Sequence, residues 1–285
     1  MESQLNIAEY LKRIQANLSK PIHSYKVIDR GWTNLVIEIN CRWIFRFVRD
    51  INNQQIAIER EFLPKFAKVS PVKIPEIITS DFDYIAYRKI LGERFSPEKF
   101  ALFSNFQKTK LIRLLGEFLT CLHNFEFDHQ YLSSAPYGGG DFWKDLWVLV
   151  KDYLSTLTRD KAEKYFTSVI EEIDSIGYKP TLTHADLGIN NILVNFKQNS
   201  LGGVIDFGDL CLGDPAADFA GFYRNFGRQF TQELICYYQK PIEANFGTRI
   251  EYEAKRKLFF VVYFALNNGF ESDVPNIIKY IETLF

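Results

Sequence analysis

Apolar residues at Leu5, Ala8, Leu11, Ile14 and Leu18 recur at three- and four-residue spacing, so the chain opens on an amphipathic helix. Three short runs follow at 25–28, 35–39 and 43–48, rich in β-branched and aromatic residues. Turn chemistry separates them, Asp-Arg-Gly-Trp-Thr-Asn at 29–34 and Asn-Cys-Arg at 40–42, and the pattern predicts a meander. A helix is predicted over 54–67. Two more strands are predicted at 72–78 and 84–87, with Pro75 marking an edge or a strand start. Beyond Leu91-Gly92 the period changes: Leu111, Leu114, Leu115, Phe118, Leu119, Leu122 and Phe125 define one strongly amphipathic helix. A glycine run at 138–140 leads into helical stretches near 141–157 and 160–176, and the last third alternates helical patterns with short polar breaks. The chain therefore divides into a small β-rich lobe with a leading helix, residues 1–90, and a larger, mostly helical lobe, residues 91–285, an α+β class.

Composition narrows the partners. With 34 Lys+Arg against 35 Asp+Glu the formal net charge is −1, and a large basic excess of the kind that meets nucleic acid or an anionic membrane is missing. Cys41, Cys121, Cys211 and Cys236 are far apart and form no C-x-x-C pair, which points to reduced thiols in a cytoplasm rather than a zinc site or a disulfide framework. The longest apolar run, 258–266, falls well short of the ~18 residues of a membrane span. Aromatic residues make up 16% of the chain, with 26 Phe against one Met. Either the rings line a binding surface or the core uses Phe where other proteins use Leu or Met, and their apolar positions favour the core.

The chemistry concentrates between Thr181 and Ala220. Asp186 and Asn191 lie in a tight loop ahead of the apolar run 192–194, and Asp206 ends a second run, 203–205. If these runs pair as a hairpin, a carboxylate and an amide face a second carboxylate across a small gap. That gap offers hard oxygen ligands of the kind Mg²⁺ takes, and leaves one carboxylate to orient a hydroxyl nucleophile.

On these residues the chain resembles the aminoglycoside phosphotransferase family, which shares the protein-kinase-like fold. His184, Asp186 and Asn191 match its His-x-Asp-x₄-Asn loop, Ile205 to Asp209 match Ile-Asp-Phe-Gly-Asp, and Gly213 to Ala220 match Gly-Asp-Pro-Ala-x-Asp-Leu-Ala with Phe219 for Leu. Tyr87 to Gly92 and the Leu122-His123 pair extend the likeness, and within the family the general pattern is nearest the branch acting on the 2″ hydroxyl. The resemblance implies a bilobal kinase-like protein using Mg²⁺ and ATP or GTP to phosphorylate a small-molecule hydroxyl, an aminoglycoside antibiotic first of all. Other alcohols (macrolide, choline-like, homoserine) and a non-catalytic nucleotide-binding module are the rival readings, and no protein partner is indicated.

Residue by residue, the resemblance makes Asp186 the group that accepts or orients the hydroxyl proton, and Asn191 and Asp206 the Mg²⁺ ligands. His184 and Asp218 brace the loop. In the N-terminal lobe Arg46 stands where many relatives have Lys, on a strand apolar on both faces, and Glu59 fits its helix partner best, with Glu61 second. Arg46 meets phosphate or serves as a structural ion pair only, since its planar fork is no substitute for a point charge. Gly31, Thr33 and Asn34 form a glycine-poor phosphate loop, and Tyr87 to Leu91, with Lys89, form the connector whose backbone meets the purine. Asp214, ahead of Pro215, is either a helix N-cap or a ligand for a cationic substrate. Glu271 and Asp273, with Tyr263, Phe264 and Phe270 nearby, either line a pocket for a polycationic sugar or form a solvated cap beside a buried helix.

Overall fold

The computed structural model describes residues 6–28, 34–49, 54–133, 140–196, 198 and 200–285. The loops that hold Gly31, Thr33 and the glycine run at 138–139 lie outside them. Helix α1 (Ile7–Asn17) precedes the strands β1 (Tyr25–Ile28), β2 (Asn34–Ile39) and β3 (Trp43–Val48). Helix α2 (Gln55–Phe66), β4 (Ile77–Ser80) and β5 (Tyr84–Arg88) complete a five-stranded antiparallel sheet in the order β1-β2-β3-β5-β4.

The strand predicted at 72–78 starts five residues later than its apolar run suggests. Pro75 has no N–H for a ladder. The preceding stretch instead spends one bond elsewhere: the Val204 N–H donates to the Lys73 carbonyl at 2.9 Å. A Cβ on Gly203 would come within 2.5 Å of that carbonyl oxygen, so only glycine admits the approach.

Strand β6 (Glu93–Arg94) opens the second part, followed by α3 (Pro97–Ala101), α4 (Asn105–Asn124), α5 (Gly140–Val150) and α6 (Thr156–Ile176). The break predicted at 158–159 lies earlier, at 151–155, where a 3₁₀ turn (Lys151–Tyr153) follows α5 and the Ser155 side chain accepts from the Thr158 N–H to start α6. Next come β7 (Thr181–Thr183), β8 (Ile192–Asn195), β9 (Ser200–Val204) and β10 (Cys211–Gly213), then α7 (Ala217–Ile235), α8 (Phe246–Asn267) and α9 (Val274–Glu282). Strands β8 and β9 pair antiparallel as the expected hairpin, β6 adds to its edge, and β10 pairs with β7.

Among the described residues three apolar clusters hold the fold. One side of the five-stranded sheet packs Leu35, Ile37, Phe45 and Phe47 against Ile14 of α1. The other side continues through α2 and α4 to the hairpin and Phe207, so a single core spans the β-rich and helical parts. A third cluster joins α5, α6, α8 and α9. Phe45, Phe62, Phe66, Phe118, Phe166 and Phe207 are among the largest side chains buried almost completely, which answers the aromatic excess: most of the described rings are buried in the core or packed against it. No helix among the described residues is long and apolar enough to cross a membrane.

Candidate active site

The site rests on one buried carboxylate. Asp218, in the first turn of α7, accepts from the His184 N–H at 2.8 Å, the Ala185 N–H at 2.8 Å and His123 Nε2 at 3.0 Å, and it is completely buried. Burial alone would push its carboxyl up, but the His123 hydrogen bond and the other donors outweigh that and hold it below the usual carboxylate range. His123 in turn lies 2.8 Å from the Tyr238 hydroxyl. The His184 ring, fully buried, donates through Nε2 to the Ile205 carbonyl at 3.1 Å and stands 4.8 Å from the Phe207 ring. Its role is the brace expected of it.

This scaffold bends the backbone. Ala185 has φ 62, a conformation that costs a side-chain-bearing residue energy and persists because Asp218 pins its N–H and that of His184. On the far side of the loop, Gly221 of α7 lets the Leu187 carbonyl approach to where a Cβ would lie only 2.2 Å away. The result projects Asp186 outward, its side chain 43% exposed. Asn191 Nδ2 donates to Asp186 Oδ2 and to the Asp186 carbonyl, both at 2.9 Å, and the Asn191 carbonyl accepts from the Ile205 N–H at the end of β9.

Across the gap Asp206 also sits at positive φ, 67, with Oδ1 2.6 Å from Arg46 Nη1. The second Arg46 nitrogen bonds Glu59 Oε2. Arg46 and Glu59 are 4% and 2% exposed, so this is a buried pair carried by β3 and α2. Burial pulls the guanidinium down, but Glu59 and Asp206 together overcome it and hold Arg46 charged. Burial pushes the Glu59 carboxyl up to about 7, with Arg46 opposing and Asp206 adding. The fork spans Glu59 and Asp206 at once, which a lysine ammonium does less well.

Asn191 Oδ1 and Asp206 Oδ2 take no hydrogen bond among the described residues. With its nitrogen committed to Asp186, the Asn191 amide has its oxygen to offer, and an amide and a carboxylate oxygen are the donors Mg²⁺ accepts alongside phosphate. The residues present therefore fit the ion.

The model of the APH phosphotransferase enzyme family matches residues 24–246, most of the 285-residue chain. The chain belongs to the APH phosphotransferase family. Its fold is the kinase-like one of that family's solved members. It is similar to the GDP and kanamycin complex of APH(2")-IIia, at 22% identity over 96% of this chain and 97% of that chain, with a TM-score of 0.84. The GDP complex of an aminoglycoside 2'-phosphotransferase-IIIa is similar at 23% identity, covering 98% and 99%, TM-score 0.81. A macrolide 2'-phosphotransferase type I follows the same fold at 17% identity, covering 96% of each chain, TM-score 0.75.

In this phosphotransferase the remaining sequence-predicted residues fall into distinct places. Gly31 and Thr33 lie outside the described residues. Asn34 opens β2 and is buried. Tyr87 is buried inside β5, opposite Ile44 and Ile77, and burial pushes its hydroxyl up. Lys89 is occupied twice, its N–H donating to the Arg42 carbonyl at 2.8 Å and its ammonium to Glu38 at 2.8 and 2.9 Å. The Lys89 N–H thus serves the sheet, leaving Ile90 and Leu91 as the next residues of the connector.

Asp214 gives its Oδ2 to Arg249 Nε at 2.8 Å and its Oδ1 to the Ala216 N–H at 2.9 Å. Burial pushes its carboxyl up to about 6 against the pull of Arg249. Asp214 therefore closes a turn just ahead of α7, whose N-cap is Ala216, and forms an ion pair with Arg249. Glu271 and Asp273 are exposed in a single 3₁₀ turn, Asp273 at the start of α9, and neither bonds to Asp186, Asn191 or Asp206. Two residues that the sequence reading did not single out stand at the site: Lys257 Nζ lies 3.2 Å from Asp186 Oδ1, and Arg224 of α7 reaches the Ala254 carbonyl of α8 at 3.5 Å. The only local signal for Lys257 is the basic run Lys255-Arg256-Lys257 ahead of the apolar stretch of α8.

Proposed function

We propose that this chain transfers the terminal phosphoryl group of ATP or GTP, with Mg²⁺, to a hydroxyl of a small molecule, with aminoglycosides the first acceptors to test. The observation that carries the reading is the exposure of Asp186 opposite Asp206, on a loop whose backbone Asp218 fixes. A carboxylate so placed accepts the acceptor's hydroxyl proton as its oxygen attacks phosphorus. Asn191 and Asp206 would hold Mg²⁺, which when bound neutralises charge on the phosphate oxygens. Arg46, steadied by Glu59, faces the same gap, and its contact with Asp206 gives it a route to the phosphates.

A small acceptor is favoured over a protein by the chain between Asp206 and Asp214. It is short, and β10 pairs its end with β7, so no long segment is present there to dock a peptide. Aminoglycosides are favoured by the likeness to the kanamycin complex of APH(2")-IIia, and the macrolide enzyme's likeness makes macrolides the second class to try. A nucleotide donor with Mg²⁺ supports a cytoplasmic place of work.

The test is phosphate transfer by the purified chain, with Mg²⁺ and ATP or GTP, to a panel of aminoglycosides and macrolides. Transfer to a panel member by the native chain, lost in Asp186→Ala while nucleotide still binds, is the expected result. Transfer only to some other alcohol would remove the acceptor assignment and keep the kinase. Tight nucleotide binding with no turnover on any acceptor would favour a binding module.

A further inference from the structure

We infer that Lys257 engages the transferred phosphoryl group, an oxyanion contact supplied by helix α8 rather than by the catalytic loop. The inference rests on the phosphotransferase reading above. Lys257 Nζ stands 3.2 Å from Asp186 Oδ1 with its side chain 25% exposed, at the edge of the gap rather than in the core. Asp186 does not need it for orientation, because Asn191 already bonds both the Asp186 side chain and its carbonyl. A permanent ammonium partner would also compete with the acceptor hydroxyl for the same carboxylate. When the hydroxyl arrives, Lys257 requires another anion.

The reaction brings one. The hydroxyl oxygen forms the new P–O bond, its proton passes to Asp186, and the bond from phosphorus to the β–γ bridging oxygen breaks with its electron pair on the departing nucleoside diphosphate. The hydroxyl lies within about 3 Å of Asp186, and the phosphorus within about 3.5 Å of the hydroxyl. The phosphoryl oxygens therefore fall inside the sweep of a four-carbon side chain that now touches Asp186. Charge spreads over those oxygens in the transition state, where a preplaced cation acts most strongly. The position is stiffened by its helix: Arg224 holds the Ala254 carbonyl one turn earlier on α8, and Arg256 pairs with buried Glu253.

The experiment uses the full chain, Mg²⁺, GDP or ADP, and fluoroaluminate as the planar phosphoryl mimic, in native protein, Lys257→Met and Lys257→Arg, each also in an Asp186→Asn background. Calorimetry reads the affinity for fluoroaluminate on the Mg²⁺–diphosphate complex. A second arm reads nucleotide hydrolysis with water as acceptor, which needs no knowledge of the natural substrate. In Lys257→Met, trapping and hydrolysis should each fall on the order of 10²-fold, the effect of losing one oxyanion donor. Diphosphate affinity should stay within about threefold, Lys257→Arg should recover part of the loss, and the trapping loss should persist in the Asp186→Asn background.

Unchanged trapping in Lys257→Met overturns the inference. So does a loss that vanishes in the Asp186→Asn background, which would make Lys257 a positioning residue for Asp186 alone, and so does normal hydrolysis with impaired transfer, which would assign it to the acceptor. Failure of the native chain to bind any Mg²⁺–nucleotide is a separate outcome, one that removes the phosphotransferase reading and the inference together. Thermal melting of the variants within about 3 °C of native keeps a folding defect from imitating either result.

Discussion

Asp218 is completely buried and accepts from three N–H donors, whereas Asp186, at the tip of the loop that supplies two of them, keeps 43% of its side chain exposed. Both are aspartates of one short motif region, yet their surroundings divide the labour. The buried floor around Asp218 spends its carboxylate on backbone amides and thereby fixes a strained turn at Ala185. The open rim around Asp186 spends that rigidity on placing a carboxylate where a substrate can reach it. Burial and donor count, rather than residue type, tell scaffold from chemistry.

Removing Asp186 should show the largest effect. Asp186→Ala should lower phosphate transfer by roughly 10³-fold or more, with nucleotide affinity nearly unchanged, as steady-state rates and calorimetry would show. Asp218→Ala should act the other way round: a loss of about 3–5 kcal/mol of stability in denaturant titration, because two backbone amides and His123 lose a buried partner. If Asp218→Ala instead left stability intact and abolished turnover, the division between floor and rim would be wrong.

Smaller effects sharpen the contrast. Arg46→Lys cannot bridge Glu59 and Asp206 as the fork does, and the nucleotide KM should rise by about fivefold, the worth of one hydrogen bond of ~1 kcal/mol. The two buried carboxylates should also give opposite pH slopes. Glu59 is raised in the folded state from an ordinary 4.5 to about 7, so its contribution is fully present below about 4.5 and is lost as pH rises through about 7. Asp218 is lowered, so its contribution is present above the ordinary 3.8 and is lost as pH falls through its depressed value. Comparing native protein with Glu59→Gln and with Asp218→Asn across pH should therefore show the native advantage shrinking upward in the first case and downward in the second. The smallest change is expected at the exposed turn: Glu271→Gln and Asp273→Asn should alter an acceptor KM by about twofold or less, since exposed charges contribute little.

How much of this was legible in the sequence follows from how local each interaction is. The loop from His184 to Asn191 and the hairpin that carries Asp206 lie within one short stretch of chain, so spacing alone brought Asp186, Asn191 and Asp206 to one gap. Arg46 announced its need for a partner, because a cation on a strand apolar on both faces demands a carboxylate, and the family resemblance singled out Glu59 ahead of Glu61. The strand after Val72 was misplaced because apolar pattern does not show where a carbonyl is spent, here on Val204. Asp214 could not be divided between cap and substrate ligand without its partner, Arg249, which a helical pattern places on a face but not against a particular loop. Lys257 escaped for the same reason, as its contact with Asp186 joins α8 to a loop that local spacing cannot connect to it.

The central claim is that the gap between Asp186 and Asp206 moves phosphate from a nucleotide to a hydroxyl. Its most direct test follows terminally labelled ATP and GTP with Mg²⁺ and the acceptor panel, in native protein and Asp186→Ala. Label appearing on an acceptor hydroxyl with native protein, and absent with Asp186→Ala at undiminished nucleotide binding, is the predicted result. Equal transfer by both proteins, or nucleotide bound tightly and never turned over by either, would contradict it.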